Sequence, residues 1–409
     1  MPEKELIKKY ITSARKEIIE FQKLLTSIPA ISPSSGGKGE LEKAKAIEKW
    51  LDSKKLGKIK WYNAEDSRAE GGIRPNMVLE IPGKKHDKCF WIMSHMDVVP
   101  PGELSLWNSD PYTLKTDNNT IYGRGVEDNQ QGLTASVFAA LSLAENNITP
   151  EYDVKLLFVA DEETGSEYGI KFLIEKHNLF KKEDFVLVPD SGDESGALIE
   201  IAEKNILWLK ITTLGKQCHA SRPDLGINAF TAASKLIRKI AKFEKTIGDH
   251  DSIFSPPRTT ITPTKKEANV PNVNTLPGED VFYLDCRILP QTGSDKILSG
   301  IKEIIKKIEK KCKVKIKYEI AQEISSLPTS KKSFIVSRLK NAIEKVYAKK
   351  SKVIGIGGGT VAAYLRNNGI DAVVWSRIDE TAHMPNEHCK LDYLEGDAII
   401  MAYLMAGSL

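Results

Sequence analysis

The sequence VKLLFVADEETGS, residues 154–166, decides the fold class of this chain of 409 residues. Its first seven residues form an almost continuous apolar run, which is typical of a β-strand buried on both faces. Three acidic residues follow at once, and carboxylates this close repel one another unless water or a positive charge offsets them. An exposed loop is one interpretation of them. The other is a ligand site, because α/β proteins bind ligands at the carboxyl ends of parallel strands.

Similar apolar strands are predicted before and after this one. They are CFWIMSHMDVV (89–99) and FVLVPD (185–190), and helical patterns at about 128–146 and 165–177 lie between the strands. Strands that alternate with helices favour an α/β domain. We therefore predict a catalytic domain with a mostly parallel central sheet flanked by helices, preceded by a helix over roughly 3–26.

The pattern changes near residue 205. From there to about 325 the predicted elements follow a β-α-β-β-α-β-like order, which suggests a small sheet with two helices on one face. From about residue 331 the sequence again predicts alternating helices and strands. The sequence thus predicts a catalytic domain of residues 1–204 and 326–409, with an α+β domain of residues 205–325 inserted into it.

Composition narrows the class of protein. The chain is 41% hydrophobic and 28% charged with a formal net charge of +4, which indicates a globular protein without the basic field that nucleic-acid binding needs. The amphipathic N-terminus lacks a secretory signal, and no apolar run is long enough to span a membrane. Five scattered cysteines without a C-x-x-C pair fit a reducing compartment. We expect a cytoplasmic protein without nucleic-acid or membrane partners.

Acidic residues and histidines follow the predicted strands at intervals of about 30 residues, roughly one βαβ unit each. They are His95 with Asp97, Asp128, the pair Glu162 and Glu163, and Asp190, and the later loop 379–388 adds His383. Each has an alternative reading: Asp128 as a helix N-cap, for example, or His383 as an exposed loop residue. Converging on one sheet edge, two histidines and three carboxylates suit a pair of zinc ions with a bridging water.

Six motifs in this order resemble one known family over about residues 15–405. They are SHMDVVP (94–100), YGRGVEDNQQG (122–132), VADEETGS (159–166), PDSGD (189–193), QCHASRPDLGINA (217–229) and AHMPNE (382–387). Together they resemble the two-zinc metallopeptidase family of glutamate carboxypeptidase, carnosinase-like dipeptidases, aminoacylase, acetylornithine deacetylase and succinyl-diaminopimelate desuccinylase.

The resemblance implies a metal site with named ligands. His95 and Asp190 would hold one zinc ion, Glu163 and His383 the other, and Asp128 would bridge the two. Related sites also accept cobalt or manganese, so the resemblance does not fix the metal.

The resemblance also implies roles around the metals. Glu162 would be the general base that takes a proton from the bridging water and passes it to the leaving nitrogen. Asp97 would orient His95. The inserted domain would be a lid that forms a homodimer, from which His219 stabilises the oxyanion in the partner subunit's site.

Substrate-binding positions are implied as well. Asn274 and Arg287 match lid positions that bind the substrate carboxylate, although Arg287 could instead form an ion pair within its strand. The glycine-rich turn GIGGGT would contribute Gly358, Gly359 and Thr360 beside the substrate. A phosphate-binding loop is the rival interpretation, and the missing G-K-[ST] disfavours it.

We therefore predict a dizinc hydrolase that cleaves an amide bond in an N-acyl amino acid or short peptide. Asp190 is more usual among dipeptidases and aminopeptidases of the family, whereas the chain length resembles the deacetylase and desuccinylase branch, so unblocked dipeptides stay an alternative substrate class. A non-catalytic protein that binds amino-acid derivatives is a further alternative. It is disfavoured because every expected ligand, Glu162 and Asp97 are present.

Overall fold

The structure, a computed structural model, describes residues 2–407 and has an α/β architecture. The helices are α1 (Glu3–Ser13), α2 (Arg15–Thr26), α3 (Leu41–Lys54), α4 (Gln130–Glu145), α5 (Ile170–His177), α6 (Ala229–Glu244), α7 (Ser294–Cys312), α8 (Phe334–Tyr347), α9 (Ala362–Asn367) and α10 (Leu391–Ala406). Among these described helices, none combines the length and apolar character that crossing a membrane requires.

The strands are short and numerous. They are β1 (Lys58–Glu65), β2 (Ile73–Ile81), β3 (Lys85–His95), β4 (Lys115–Asp117), β5 (Thr120–Tyr122), β6 (Tyr152–Val159), β7 (Phe185–Gly192), β8 (Leu198–Glu203), β9 (Asn205–Leu214), β10 (Cys218–His219), β11 (Thr260–Lys266), β12 (Thr275–Leu276), β13 (Glu279–Ile288), β14 (Lys315–Ile324), β15 (Lys352–Ile356), β16 (Asp371–Ser376) and β17 (His388–Lys390).

The largest sheet has the strand order β1-β2-β6-β3-β7-β16-β8-β15. Its central strands β6, β3, β7 and β16 run parallel, and antiparallel pairs of β1 with β2, β2 with β6 and β16 with β8 lie outside them. Each central strand is buried along the part that contains its apolar run, namely residues 89–95 of β3, 156–159 of β6, 185–189 of β7 and 372–376 of β16, as these runs predict. The predicted α/β class with a mostly parallel central sheet flanked by helices is confirmed.

Helix α4 forms the centre of the first core. Its residues from Gln130 to Leu143 are all buried, and the helix contacts strands β3 and β7 as well as helix α10. A helix that is surrounded on all sides needs apolar or small residues all round, which the sequence LTASVFAALSL supplies. This packing fixes where α4 begins, and therefore where the residues just before it lie.

The chain divides into two compact units. Unit 1 runs up to residue 201 and includes residues 329–353 and those from 364 onward, whereas unit 2 comprises residues 202–328 and 354–363. The predicted insertion of residues 205–325 lies within unit 2.

Unit 2 also contains sixteen residues that the sequence predicts to be part of the catalytic domain, namely 202–204, 326–328 and 354–363. Gly355 N donates to Ile253 O at 2.9 Å, and Lys204 N donates to Ile356 O at 3.0 Å. These backbone hydrogen bonds join segments about 100 to 150 positions apart in the sequence, so no local pattern shows them.

Unit 2 is built on a four-stranded antiparallel sheet in the order β11-β13-β9-β14. Alternate residues of β9 and β13 point into a core that α6 and α7 complete, as their two-residue and helical periods predict. The core residues from these elements include Leu207, Leu209, Ile211, Leu236, Ile240, Phe282, Leu284, Ile297, Ile301 and Ile305.

One local prediction differs from the structure, and an edge strand is not predicted. The predicted helix over 3–26 is two helices that meet at Ala14, because α1 packs on α4 and α10 whereas α2 packs on α4 and α3. The sequence pattern does not predict strand β1. It is an edge strand with mostly exposed or half-buried side chains, so its sequence KIKWYNAE lacks the apolar run of a central strand.

Candidate metal centre

The parallel strands of unit 1 bring the predicted ligands to one edge of the sheet. His95 is the last residue of β3, Asp190 lies near the end of β7, and Glu162 and Glu163 form the turn after β6. Parallel strands end on the same side of their sheet, and β3 lies between β6 and β7. The strand order therefore places these four residues next to one another.

Asp128 lies between two imidazole rings. His95 Nε2 is 2.8 Å from Asp128 Oδ1 and 3.3 Å from Asp190 Oδ1. His383 Nε2 is 3.3 Å from Asp128 Oδ2 and 3.0 Å from Glu163 Oε2. Each oxygen of the Asp128 carboxylate thus faces a different histidine, and all five predicted ligands converge.

Asp128 does not cap the helix that follows it. Helix α4 begins at Gln130, and Asn129 occupies the N-cap position without a side-chain cap bond. The Asp128 carboxylate is therefore engaged by the two histidines, and the N-cap alternative does not apply.

The donor groups fit a pair of divalent metal ions. One cluster joins His95, Glu162 and Asp190, and a second joins His95, Asp128 and Glu163, with ligand atoms within 4.8 Å of one another in each cluster. Imidazole nitrogens and carboxylate oxygens are ligands that zinc prefers. Glu162, the predicted base, lies as close to the first cluster as a ligand would.

Asp97 holds both the turn of Glu162 and Glu163 and the ring of His95 in place. Its side chain accepts hydrogen bonds from Glu162 N at 3.1 Å and from Glu163 N at 3.0 Å. His95 Nδ1 donates to the backbone oxygen of Asp97 at 2.9 Å and lies 3.5 Å from its Oδ1. Asp97 therefore fixes the acidic turn as well as the histidine ring, and only the second of these roles follows from its position in the sequence.

Burial and charge shift the pKa values of Glu162, His383 and Asp128 in this cluster. Burial first, and then the charge of Asp190, raise the pKa of Glu162 well above its ordinary value. Hydrogen bonds to Asp128 and Glu163 raise the pKa of His383 to about 10. Burial opposes ionisation of Asp128, yet its hydrogen bonds from His383 and His95 lower its pKa overall. The carboxylates thus require positive charge at this place, which two divalent cations would also provide.

The sequence pattern does not indicate three residues that shape this centre, Asn129, Glu127 and Glu387. Asn129 Nδ2 donates to Asp190 Oδ1 at 2.6 Å and so orients a predicted ligand. Two buried carboxylates, Glu127 and Glu387, bind the backbone around Asp128 and His383. Their only sequence signal is that they flank predicted ligands, and flanking acids are usually exposed.

Lys43 places an ammonium group in the interior of unit 1. Its side chain is buried, and Nζ has no hydrogen-bond partner among residues 2–407. Burial lowers the pKa of Lys43 to about 8, although the charges of Asp97, Glu40 and Glu387 act in the opposite direction. Protonation of Lys43 is therefore less favourable in the folded protein than in the unfolded chain.

Lys43→Met is accordingly expected to stabilise the protein at pH 7 by about 1–3 kcal/mol. The unfolded chain keeps the ordinary lysine pKa, so the destabilisation that Lys43 causes should decrease as the pH rises from about 8 to 10.5, and the gain of the variant over the wild type should vanish above that range. Chemical denaturation at pH 7 and pH 10.5 measures both effects. Lys45→Met, an exposed change on the same helix, should shift stability by less than about 0.5 kcal/mol. A destabilised Lys43→Met protein at pH 7 would contradict this account.

The predicted lid residues all lie in unit 2. His219 is in β10 and is exposed, with its Nδ1 accepting a hydrogen bond from Ser221 N at 3.1 Å. Strand β10 pairs with β12, and Ala220 N donates to Asn274 O at 2.8 Å. His219 and Asn274 are therefore neighbours within this unit.

Arg287 already has a carboxylate partner. Its Nε and Nη2 donate to Asp285 at 2.7 and 3.1 Å, and its Nη1 donates to Gly357 O at 2.8 Å. The ion-pair alternative from the sequence is thus present, and the same arginine contacts the glycine-rich turn. In that turn, which contains Gly358 and Gly359, Thr360 donates through Oγ1 to Glu203 Oε1 at 2.6 Å.

Comparison with known protein families supports a single assignment. Residues 91–406 match the profile of peptidase family M20/M25/M40. An uncharacterized metallohydrolase of Methanococcus maripaludis is 42% identical over 402 residues, covering 92% of this chain and 96% of that protein. Succinyl-diaminopimelate desuccinylase of Nautilia profundicola is 26% identical over 373 residues, covering 90% of this chain and 93% of that enzyme.

Solved structures share the fold at lower identity. Aminopeptidase PepT from Bacillus cereus superposes with a TM-score of 0.74 at 20% identity, covering 96% of this chain and 98% of that one. The YXEP protein of Bacillus subtilis, described as a dinuclear metal binding peptidase, superposes with a TM-score of 0.69 at 15% identity over 97% of this chain and 99% of its own.

Proposed function

This chain belongs to peptidase family M20/M25/M40 and is a metallohydrolase, and we propose that it uses a pair of divalent metal ions, zinc in the first instance, to hydrolyse an amide bond of an N-acyl amino acid. The observation that carries the proposal is the position of Asp128, with one carboxylate oxygen toward His95 and the other toward His383. A carboxylate that faces two imidazoles in this way suits a bridge between two metal ions.

The proposed roles follow from the contacts. Two bound divalent cations supply Lewis-acid activation of water and polarise the substrate carbonyl at neutral pH. His95 and Asp190 would hold one ion, and Glu163 and His383 the other.

Glu162 would take the proton from the attacking water and deliver it to the leaving nitrogen, while the Asp97 side chain keeps the turn of Glu162 and Glu163 in place. The raised pKa of Glu162 supports this role, since a base works best when its pKa approaches the working pH.

Unit 2 would supply the other part of the site. We propose that it acts as a lid and forms a homodimer, and that His219 stabilises the oxyanion in the partner subunit's site. Arg287 and Asn274 would bind the substrate carboxylate, with the glycine-rich turn of Gly358, Gly359 and Thr360 beside it. The guanidinium of Arg287 would then have to share its donors between Asp285 and the substrate, because Asp285 occupies its fork.

The substrate class has two candidates. N-acyl amino acids are favoured because the relatives named above include an enzyme that removes a succinyl group, matched over 90% of this chain. Unblocked dipeptides are the second candidate, because position 190 carries an aspartate, which is the more usual residue there among the dipeptidases and aminopeptidases that the sequence resembles. Asn129 Nδ2 donates to Asp190 Oδ1 at 2.6 Å, and this hydrogen bond orients the Asp190 carboxylate at the sheet edge where the predicted ligands meet.

A substrate panel tests this proposal. The purified protein, loaded with zinc or cobalt, is given N-acetylornithine, N-succinyl-diaminopimelate, N-acetyl-methionine and several unblocked dipeptides, and release of the free amine is measured. We expect turnover of at least one blocked substrate, and loss of that turnover after chelation. Turnover of dipeptides alone would select the second candidate. A protein that binds no divalent metal and cleaves none of these compounds would refute both.

A further inference from the structure

We propose that Glu127 and Glu387 are positioning residues that lock two loops together and so set the affinity for the metal ion held by Glu163 and His383. The aspartate turn, residues 123–128, ends in Asp128, and the histidine loop, residues 377–387, contains His383. This inference rests on the proposed function, because it concerns the same pair of metal ions. It assigns a task to two buried acids that the metal chemistry leaves without one.

Glu127 reaches from the aspartate turn into the histidine loop. Its carboxylate accepts hydrogen bonds from Asp379 N at 2.8 Å, Ala382 N at 3.0 Å and Thr381 Oγ1 at 3.1 Å, and also from Thr381 N. The residue as a whole is only 4% exposed. One carboxylate therefore holds the backbone of the residues directly before His383.

Glu387 reaches in the opposite direction. It lies at the end of the histidine loop, is fully buried, and accepts from Gly125 N at 3.0 Å, Glu127 N at 3.0 Å and Asp128 N at 3.1 Å. Arg124 adds a charged donor at 2.5 Å. Each loop thus contributes one carboxylate that binds the backbone N–H groups of the other loop.

The histidine loop needs such anchors. Glu380, His383 and Asn386 have φ values of 59°, 65° and 60°, in the left-handed region that side chains other than glycine rarely adopt. Conformations of this kind persist only where the surroundings enforce them. Glu127 binds residues 379–382, a segment that contains Glu380 and directly precedes His383, and Glu387 directly follows Asn386.

The other predicted metal position depends less on this arrangement. His95 and Asp190 belong to β3 and β7, which neighbouring strands of the central sheet hold in place. His383 has no such support, because it lies in a loop with more than half of its side-chain area exposed. Loss of the hydrogen bonds made by either Glu127 or Glu387 should therefore weaken binding of the ion held by Glu163 and His383 before it affects the other ion.

Cobalt titration of the metal-free protein tests the inference. Visible absorption and equilibrium dialysis give the number of bound ions and the affinity of each, independently of catalysis. In Glu387→Gln and in Glu127→Gln we expect that two cobalt ions still bind. Relative to the wild type, one of them, the ion assigned to Glu163 and His383, should bind about 10- to 100-fold more weakly, and the affinity for the other should be nearly unchanged. An amide keeps the shape of the carboxylate, but its NH₂ group faces backbone N–H donors and cannot accept from them.

Asp184→Asn is the matched control. Asp184 is a buried carboxylate at the opposite end of β7 from Asp190, and it accepts from Cys89 N, Trp91 Nε1 and Lys181 N at 2.8 to 3.0 Å. It should lose comparable stability in thermal unfolding and keep both cobalt affinities.

The outcomes separate the two proposals. Equal weakening of both ions, unchanged affinities in the variants, or the same selective loss in Asp184→Asn would overturn the inference. If Glu387→Gln does not fold, Glu127→Gln decides alone. Wild-type protein that binds fewer than two cobalt ions would instead refute the proposed two-metal function.

Discussion

Glu162→Gln is expected to lower kcat/KM about 100- to 10,000-fold while the protein keeps its full complement of metal ions. Glutamine has the shape of glutamate but cannot accept the proton of the attacking water. All five predicted ligands are unchanged in this variant, and glutamine keeps an oxygen where Glu162 lies beside His95 and Asp190, so metal binding should persist. Steady-state kinetics on a substrate from the panel, together with metal analysis of the same sample, measures both quantities.

The pH dependence of the rate adds a second readout. Since burial and the charge of Asp190 raise the pKa of Glu162, the wild-type rate should fall as the pH decreases through that raised value, because the protonated acid cannot act as a base. The residual rate of the variant should lack this fall.

Glu167→Gln, an exposed change in the same loop region, should leave the rate and the metal content unaltered. A Glu162→Gln protein that keeps a third of the wild-type rate would exclude Glu162 as the base.

Arg74→Met is expected to destabilise the protein by about 3–5 kcal/mol, because it leaves buried carboxylates without their counter-charge. The guanidinium is fully buried and forms a two-pronged ion pair with Glu40, which includes a 2.7 Å hydrogen bond from Nε. Arg74 Nη2 also lies 3.3 Å from Asp161 Oδ1, and Nη1 lies 3.6 Å from Asp66 Oδ2. Denaturant unfolding at pH 7 gives the free energy of unfolding.

Arg68 provides a close comparison, since it pairs with the same Asp66 at 2.9 Å but has 53% of its side chain exposed. Arg68→Met should cost far less than Arg74→Met, because exposed ion pairs contribute little to stability. The double variant Arg74→Met/Glu40→Gln should recover part of the stability, because the unpaired charge of Glu40 is then removed. If Arg74→Met and Arg68→Met proved equally mild, the buried network would not contribute as the structure indicates.

The sequence alone predicts the parts of this protein that depend on local patterns. Apolar runs predict the buried strands β3, β6 and β7, and their alternation with helices predicts the α/β class. Strand ends in a parallel sheet meet at one edge, so the positions of His95, Glu163 and Asp190 along the chain suffice to place them together. The predicted ligands also include His383. No periodic pattern marks a loop histidine, so its position in a polar loop indicates only a candidate, and the family resemblance implies which metal ion it would hold.

Only the tertiary structure decides which groups hold these residues in place. Glu127 binds the backbone near Thr381, and Asp97 binds that of Glu162, across separations of about 250 and 65 residues. Such contacts depend on how strands and loops are assembled. A buried glutamate that binds backbone amides cannot be distinguished in a sequence from an exposed one, because its partners are N–H groups that every residue except proline carries. The residue types in the sequence therefore determine which groups can bind metal at this sheet edge, whereas the tertiary structure determines which contacts hold those groups in place.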